Sequence, residues 1–362
     1  MMLSTRTIRV IDDKKDWDAH FDKLPLHLRD INLSFDYYFM YEVNGNGKAR
    51  LFTVTEGDEL YFYPFLLRSI ETTVLDGNYF DIESAYGYSG PVSTSSNMEF
   101  LNSCSEAFMA YCKENKIVSE FIRLHPLLEN YQLLSQNESV KLIPLRDYVY
   151  VDLQRAENEI WDSYTSQNRN KIRKAEKNNV EIIHDYNCQY FEEFARIYQK
   201  NMEHLNASML YFFSKEFFTA LLALIKKNGL LLIAKDNMRV LGASVFLLGN
   251  FNAYYFLSSA TEEGKKNAVS NLLLNKGIMH CKKSGMKKVH LGGGMTDSAE
   301  DSLLVFKKNF SSKTAPFYIG KRIHFHEQYD LLCADWDRRF APESVKYKNI
   351  LQRYRWSKAD LL

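Results

Sequence analysis

A lysine one step after a phenylalanine is the residue best placed for chemistry. In Leu303-Leu304-Val305-Phe306-Lys307-Lys308-Asn309-Phe310 the spacing predicts a short amphipathic helix with Leu303, Phe306 and Phe310 inward, so that Lys307 borders the buried face. An ammonium held partly out of water beside a cleft can steady a phosphate or the oxyanion of an acyl transfer, whereas a lysine that snorkels back to solvent does neither. Just upstream, Lys288-Val289-His290-Leu291 reads as a strand running into Gly292-Gly293-Gly294, where glycines permit positive φ and close approach of a ligand or another backbone. This is no dinucleotide fingerprint, since G-x-G-x-x-G requires glycine where Asp297 stands, and it is no Walker loop.

Three further stretches offer binding chemistry. Trp161 to Lys177 predicts a helix with Trp161, Tyr164, Asn168, Ile172 and Ala175 on one face. Its other side carries Arg169, Arg173 and Lys177 at four-residue spacing, with Lys171 and Lys174 nearby. Such a run suits a diphosphate or an RNA backbone, and serves equally as a solvated face. Tyr86-Gly87-Tyr88-Ser89-Gly90-Pro91 has the composition of a shaped loop displaying Tyr86 and Tyr88, or of a plain structural turn; it is no nucleophile elbow, because Pro91 replaces the required glycine. Tyr254 to Ser259 alternates as a strand, with Tyr255, Leu257 and Ser259 predicted on one face and Tyr254, Phe256 and Ser258 on the other. His324 and His326 read as a surface pair, too few for a metal site. No Ser/His/Asp order or Cys/His pair supports covalent catalysis.

These residues must be positioned by an α/β architecture, because the apolar period switches repeatedly between strand and helix. One pattern occurs twice. Arg50 to Thr55 and Leu60 to Leu67 flank the turn Glu56-Gly57-Asp58, then come a helix from Met98 to Glu114, a break at Asn115-Lys116 and a strand from Glu120 to Leu124. In the second half Leu230 to Lys235 and Val240 to Leu248 flank Asp236-Asn237, Ala253 to Ser259 adds a strand, and a helix from Ala268 to Lys283 stops at Ser284-Gly285 before Lys288 to Leu291. The repetition suggests a duplicated unit with a boundary near Tyr148 to Asp152, as expected for 362 residues, a length at which chains split into domains. With no Gly/Ser tract and only seven prolines, the halves are expected to pack rigidly around a shared cleft.

Composition excludes other classes. At 46% hydrophobic and 14% aromatic the chain is globular, and a net charge of +1 gives no global pull toward DNA or membrane. No leader-like or membrane-spanning segment is read, so a cytoplasmic protein is expected. The five cysteines, Cys104, Cys112, Cys188, Cys281 and Cys333, lack CxxC spacing and are read as reduced thiols.

The assembled stretches resemble the Fem peptidyltransferases, the FemA, FemB and FemX group, and related acyltransferases of the GNAT class. The resemblance spans about residues 30 to 325. It rests on the tyrosine and GP loop, on Ser166 to Lys177, and on the closing order of Tyr254-Tyr255, Ser258-Ser259, Asn267, Gly285, Gly292-Gly293 and Phe306-Lys307. It implies an α/β fold with mixed α+β sheets and two tandem GNAT-like domains. These are residues 1–150 on the acceptor side, residues 151–325 on the donor side with the catalytic lysine, and a C-terminal helical tail, 326–362. It implies Lys307 as the catalytic residue, with Tyr86, Tyr88, Arg169, Lys171, Arg173, Tyr255, Ser259, Asn267 and Phe306 binding substrates. The implied reaction moves an acyl or aminoacyl group onto an amine of a nucleotide- or lipid-linked cell-wall or glycan precursor. Aminoacyl-tRNA or acyl-CoA serves as co-substrate, no cofactor is tightly bound, and tRNA is a partner where it carries the donor. Acyl-CoA-dependent transfer onto an amino sugar, and a non-catalytic module binding nucleotide-linked glycans, are the competing readings. The sequence departs from the family pattern twice. Thr261 to Ala268 lacks the Arg/Gln-x-x-Gly-x-Gly/Ala phosphate loop, and Val180 to Gly229 is too short for the long helical hairpin of some Fem proteins.

Overall fold

Short polar side chains decide where the helices start. In the computed structural model, which describes residues 6–205, 207–237, 239–296, 298–341 and 344–357, Asp13, Ser34, Asn97, Thr165 and Ser214 each accept a hydrogen bond from a first-turn amide of the following helix. Those amides have no partner inside the helix, so the caps satisfy them.

The chain divides into two units, one of Met1–Leu28, Asn32–Leu145 and Phe317–Leu362, the other of Arg29–Ile31 and Arg146–Pro316. The first begins with β1 (Thr7–Ile11), α1 (Lys14–Phe21), α2 (Phe35–Val43), β2 (Lys48–Glu56) and β3 (Glu59–Ser69). It continues with β4 (Phe80–Glu83), β5 (Val92–Ser93), α3 (Met98–Glu114) and β6 (Ile117–Arg123). Strand β7 (Lys141–Asp152) carries the chain into the second unit, which opens with α4 (Glu157–Ser163), α5 (Ser166–Lys177), β8 (Glu181–His184), α6 (Phe191–His204) and α7 (Lys215–Asn228). There follow β9 (Gly229–Lys235), β10 (Val240–Leu248), β11 (Asn252–Ala260), α8 (Glu262–Lys266), α9 (Val269–Lys283), β12 (Lys288–Gly292) and α10 (Ser302–Lys308). Strand β13 (Thr314–Ile323) returns the chain to the first unit, which ends with α11 (His326–Arg339) and α12 (Ser344–Tyr347).

The two units have one topology. The strand order is β1-β2-β3-β4-β6-β13 in the first and β8-β9-β10-β11-β12-β7 in the second. Neighbours are antiparallel except for one parallel pair in each, β4 with β6 and β11 with β12. A parallel pair needs a crossover, which α3 and α9 supply. The repeated order of elements is therefore present in six strands of each unit, β5 being an added strand paired with β3.

Each unit has its own core. Phe52, Tyr63, Phe65 and Phe108 lead the first, and Ile172, Phe246, Leu272, Val289 and Phe310 belong to the second. Of the described residues after 326, Leu332, Trp336 and Tyr354 pack within the first unit, where they meet Ile70 and Val118. They are held by a buried carboxylate. Asp81, fully buried, accepts from Arg68 Nε at 2.8 Å, the Tyr354 hydroxyl at 2.8 Å and Arg355 Nε at 2.6 Å.

Two local expectations change. The helix read over Trp161–Lys177 is two helices, because Tyr164 is extended at ψ 147 and buried edge-on against Phe310, and Thr165 caps a fresh start. His324 is not half of a surface pair: its ring is buried, with Nε2 3.3 Å from Glu120. All five cysteines are free and buried, and among the described residues no helix is long and apolar enough to cross a membrane.

Candidate active site

Two parallel strands that part leave a gap. Strands β11 and β12 pair from Asn252–Lys288 to Tyr254–His290, and β11 then runs on to Ala260 beyond the last pair. Beside this free stretch lies a cavity of about 620 Å³, walled by Tyr255 to Ala260, by Tyr198 and Asn201 of α6, and by Leu303, Phe306 and Lys307 of α10.

A bulge shapes the strand wall. Tyr255 pairs with Phe246 and Leu257 with Val245, so Phe256 is an extra residue, and an extra residue reverses the in/out alternation. The expected common face of Tyr255, Leu257 and Ser259 is thus broken. The Tyr255 phenol, raised by burial, meets the hydroxyls of Ser258 and Ser244, which draw it partly back. Ser259 instead donates to the Ile197 carbonyl of α6 at 3.2 Å.

Lys307 is 8% exposed. Its Nζ donates to the Gly293 carbonyl at 2.6 Å. Burial drives its pKa down to about 7, opposed by the charge of Asp301, because removal from water disfavours the ammonium. At neutral pH it can therefore exist as cation or as free amine. The glycines explain how the anchor is built. Gly292 takes φ +83 to turn the chain out of β12, and a Cβ on Gly293 would run into the Tyr148 ring. The following loop is fixed from two sides. Arg146 Nη1 donates to the carbonyls of Gly294 at 3.1 Å and Thr296 at 2.7 Å. Asp301 caps α10 and accepts from the amides of Met295, Thr296 and Leu304 at 2.9–3.0 Å. Burial works to raise the Asp301 carboxyl, but these amides and the Thr296 hydroxyl hold it down at about 2.

The structure brings Tyr255, Ser259, Phe306 and Lys307 to one cavity. Asn267 caps α8, and its side-chain oxygen accepts from Asn178 of α5 at 2.8 Å. The basic helix is mostly solvent-facing. Lys171 is exposed, Arg173 lies 5.5 Å from the Trp161 ring, and Arg169 is occupied by the carbonyls of Asp162 and Tyr164. Tyr86 and Tyr88 belong to the first unit. Tyr86 is 42% exposed, and Tyr88 packs edge-on against His125 and Phe317. Sequence reasoning missed Tyr198 and Asn201, which look like ordinary helix residues, and Asp301, whose position six residues before Lys307 marks a helix cap.

Residues 164–300 match the model of the acetyltransferase (GNAT) domain. No curated protein sequence matches the chain. Among solved structures, FemX is similar at TM-score 0.68 and 14% identity, covering 89% of this chain and 99% of FemX. A conserved protein of unknown function from Bacteroides thetaiotaomicron VPI-5482 is similar at 0.60 and 10%, covering 87% and 100%. The C-terminal domain of a putative lysylphosphatidylglycerol synthetase from Agrobacterium fabrum is similar at 0.55 and 11%, covering 89% and 95%. The chain is therefore two GNAT-like units in tandem with the fold of FemX, and residues 164–300, within its second unit, are similar to the GNAT acetyltransferase domain.

Proposed function

We propose that the chain transfers an acyl or aminoacyl group onto an amine of a cell-envelope precursor in the cytoplasm, by direct attack without an acyl-enzyme. The observation that carries this reading is Lys307, buried on a single carbonyl hydrogen bond at a cavity lined largely by residues that match the GNAT model. The amine attacks the donor carbonyl, a C–N bond forms, and the tetrahedral oxyanion collapses with loss of a ribose alkoxide or a thiolate. The ammonium of Lys307 would steady the oxyanion, and the proton released by the amine would end on the leaving group, through water or the substrates themselves.

The donor is read as aminoacyl-tRNA. Where a phosphate loop would serve coenzyme A, Thr261 to Ala268 lacks that loop's pattern, and Glu262 and Glu263, ion-paired with Lys265 and Arg239, open α8 instead. Lys171, Arg173, Lys174 and Lys177 of α5 offer exposed cations for a polyanionic donor. Tyr86 and Tyr88 are assigned to the acceptor. Acyl-CoA transfer onto an amino sugar is the second reading, supported by the acetyltransferase match.

The test supplies labelled aminoacyl-tRNA or acyl-CoA with panels of nucleotide-linked precursors and follows the label. Transfer abolished by RNase supports tRNA, and RNase-resistant transfer from acyl-CoA supports the second reading. Lys307→Ala should reduce turnover roughly a hundred- to a thousandfold while folding normally. Undiminished turnover would remove Lys307 from the mechanism, and glycan binding without transfer from any donor would leave a binding module.

A further inference from the structure

The first unit contains a hollow lined by none of the residues assigned above to the transfer. It has a volume of about 1070 Å³, and its lining residues come from α3, β7 and the turn before it, β13 and the start of α11 with His324 between them, and the segment at Lys348 to Leu351. Four lysines line it, Lys113, Lys141, Lys321 and Lys348, against one carboxylate, Glu138. The whole chain has 46 basic and 45 acidic residues, so this imbalance is local.

These cations are not consumed by the fold. Among the described residues none of the four lysines is ion-paired, although Lys321 Nζ reaches the Asn349 carbonyl at 2.6 Å. Burial lowers the Lys321 pKa and the nearby charge of Lys141 lowers it further, a repulsion that a bound anion would relieve. Arg322, 5% exposed, also lines the hollow. Its Nε lies 3.5 Å from Glu120, which it shares with His324, and its Nη1 has no hydrogen-bond partner among the described residues. At the rim His326 opens the 14-residue helix α11, and the N-cap residue Phe325 provides no side-chain cap. Ile143, Leu145, Ile319 and Leu351 supply apolar wall.

We propose that this hollow binds an organic phosphate carrying two or more negative charges. Lysines are compact, rotatable charges that suit phosphate oxygens from several directions. The volume exceeds that of a bare ion, and the apolar wall accommodates an organic moiety, as in small-molecule sites generally. The inference stands apart from the reading of the transfer site, since all the lining residues belong to the first unit.

The experiment titrates the full chain calorimetrically with ADP, UDP, inorganic pyrophosphate and citrate. Saturable binding of a nucleotide, tighter than pyrophosphate, is expected. Lys141→Glu and Lys348→Glu should each weaken it roughly tenfold or more, with Lys113→Glu as a third reversal on an independent element. Lys15→Glu, an exposed reversal on α1, should leave it unchanged, and Lys307→Ala should bind normally even if it has lost transfer. Absence of saturable binding, affinity unmoved by the reversals, or citrate binding tighter than the phosphates would overturn the proposal.

Discussion

The two parallel strand pairs have the same connectivity and opposite contents. In the first unit β4 and β6 part after Glu83–Phe121, and the chain itself fills the space. Ser89 donates through its amide to the Arg123 carbonyl at 2.8 Å and bridges to Leu124. Buried Asn130 donates to the Ser89 carbonyl at 2.8 Å and the Pro91 carbonyl at 3.0 Å. Gly90, at φ +92, lies so close that a Cβ would stand 2.9 Å from the Leu124 side chain. In the second unit β11 and β12 part after Tyr254–His290, and the space stays open, with Lys307 at its edge. The gap is a property of the topology. Whether it becomes a site depends on the loop that follows: backbone in one copy, a buried amine in the other.

The largest effect should come from removing the feature that the first unit lacks. Burying an ammonium opposes folding, and the pKa of about 7 against an ordinary 10.5 sets the pH window. Between these values the unfolded lysine holds a proton that the folded one has lost, so stability rises with pH through that range and the full penalty is present below 7. Lys307→Met should therefore stabilise the protein by about 1–4 kcal/mol at pH 6. The gain should shrink as the pH approaches 10, as thermal unfolding across pH will show. Equal melting temperatures at every pH would mean that burial of the lysine carries no penalty.

A smaller and opposite effect is expected from opening the filled copy. Asn130→Ala strips the partners from the Ser89 and Pro91 carbonyls and from the His125 amide, which donates to Asn130 Oδ1 at 2.7 Å. Buried groups left unpaired cost about 1–3 kcal/mol each. Because they form one network and the loop can relax, a total loss of about 2–3 kcal/mol in denaturant unfolding is expected. A loss below about 0.5 kcal/mol would show that the loop is not held by this residue.

How far the sequence carried these conclusions depended on whether the signal was local. The crossover helices were readable from their periodicity and end signals, Asn115 for α3 and Ser284-Gly285 for α9. Lys307 was readable because inward neighbours at helical spacing place it. The bulge at Phe256 was not, since a two-residue alternation carries no mark of an inserted residue until its partner strand is known. Strands β7 and β13 pass from one unit to the other, so their partners are remote in sequence and their patterns are mixed. The lysine-lined hollow escaped for the same reason: Lys113, Lys141, Lys321 and Lys348 are spread over more than two hundred residues.

The smallest effect on folding is expected at Tyr86, and it sharpens the contrast between the two copies most. Its carbonyl accepts from the Tyr37 hydroxyl at 2.7 Å, a bond that does not need its own side chain. Its exposed ring has the Arg123 guanidinium 6.0 Å away, a surface contact of small energy. Tyr86→Ala should thus shift stability by less than about 0.5 kcal/mol. Assignment of the ring to the acceptor requires KM for the amine substrate to rise with kcat preserved, the pattern of lost uniform binding. If both constants hold for every acceptor that the wild type accepts, the tyrosine loop is a plug alone. The filled copy would then be structural throughout that loop, and recognition of the amine would have to come from other residues.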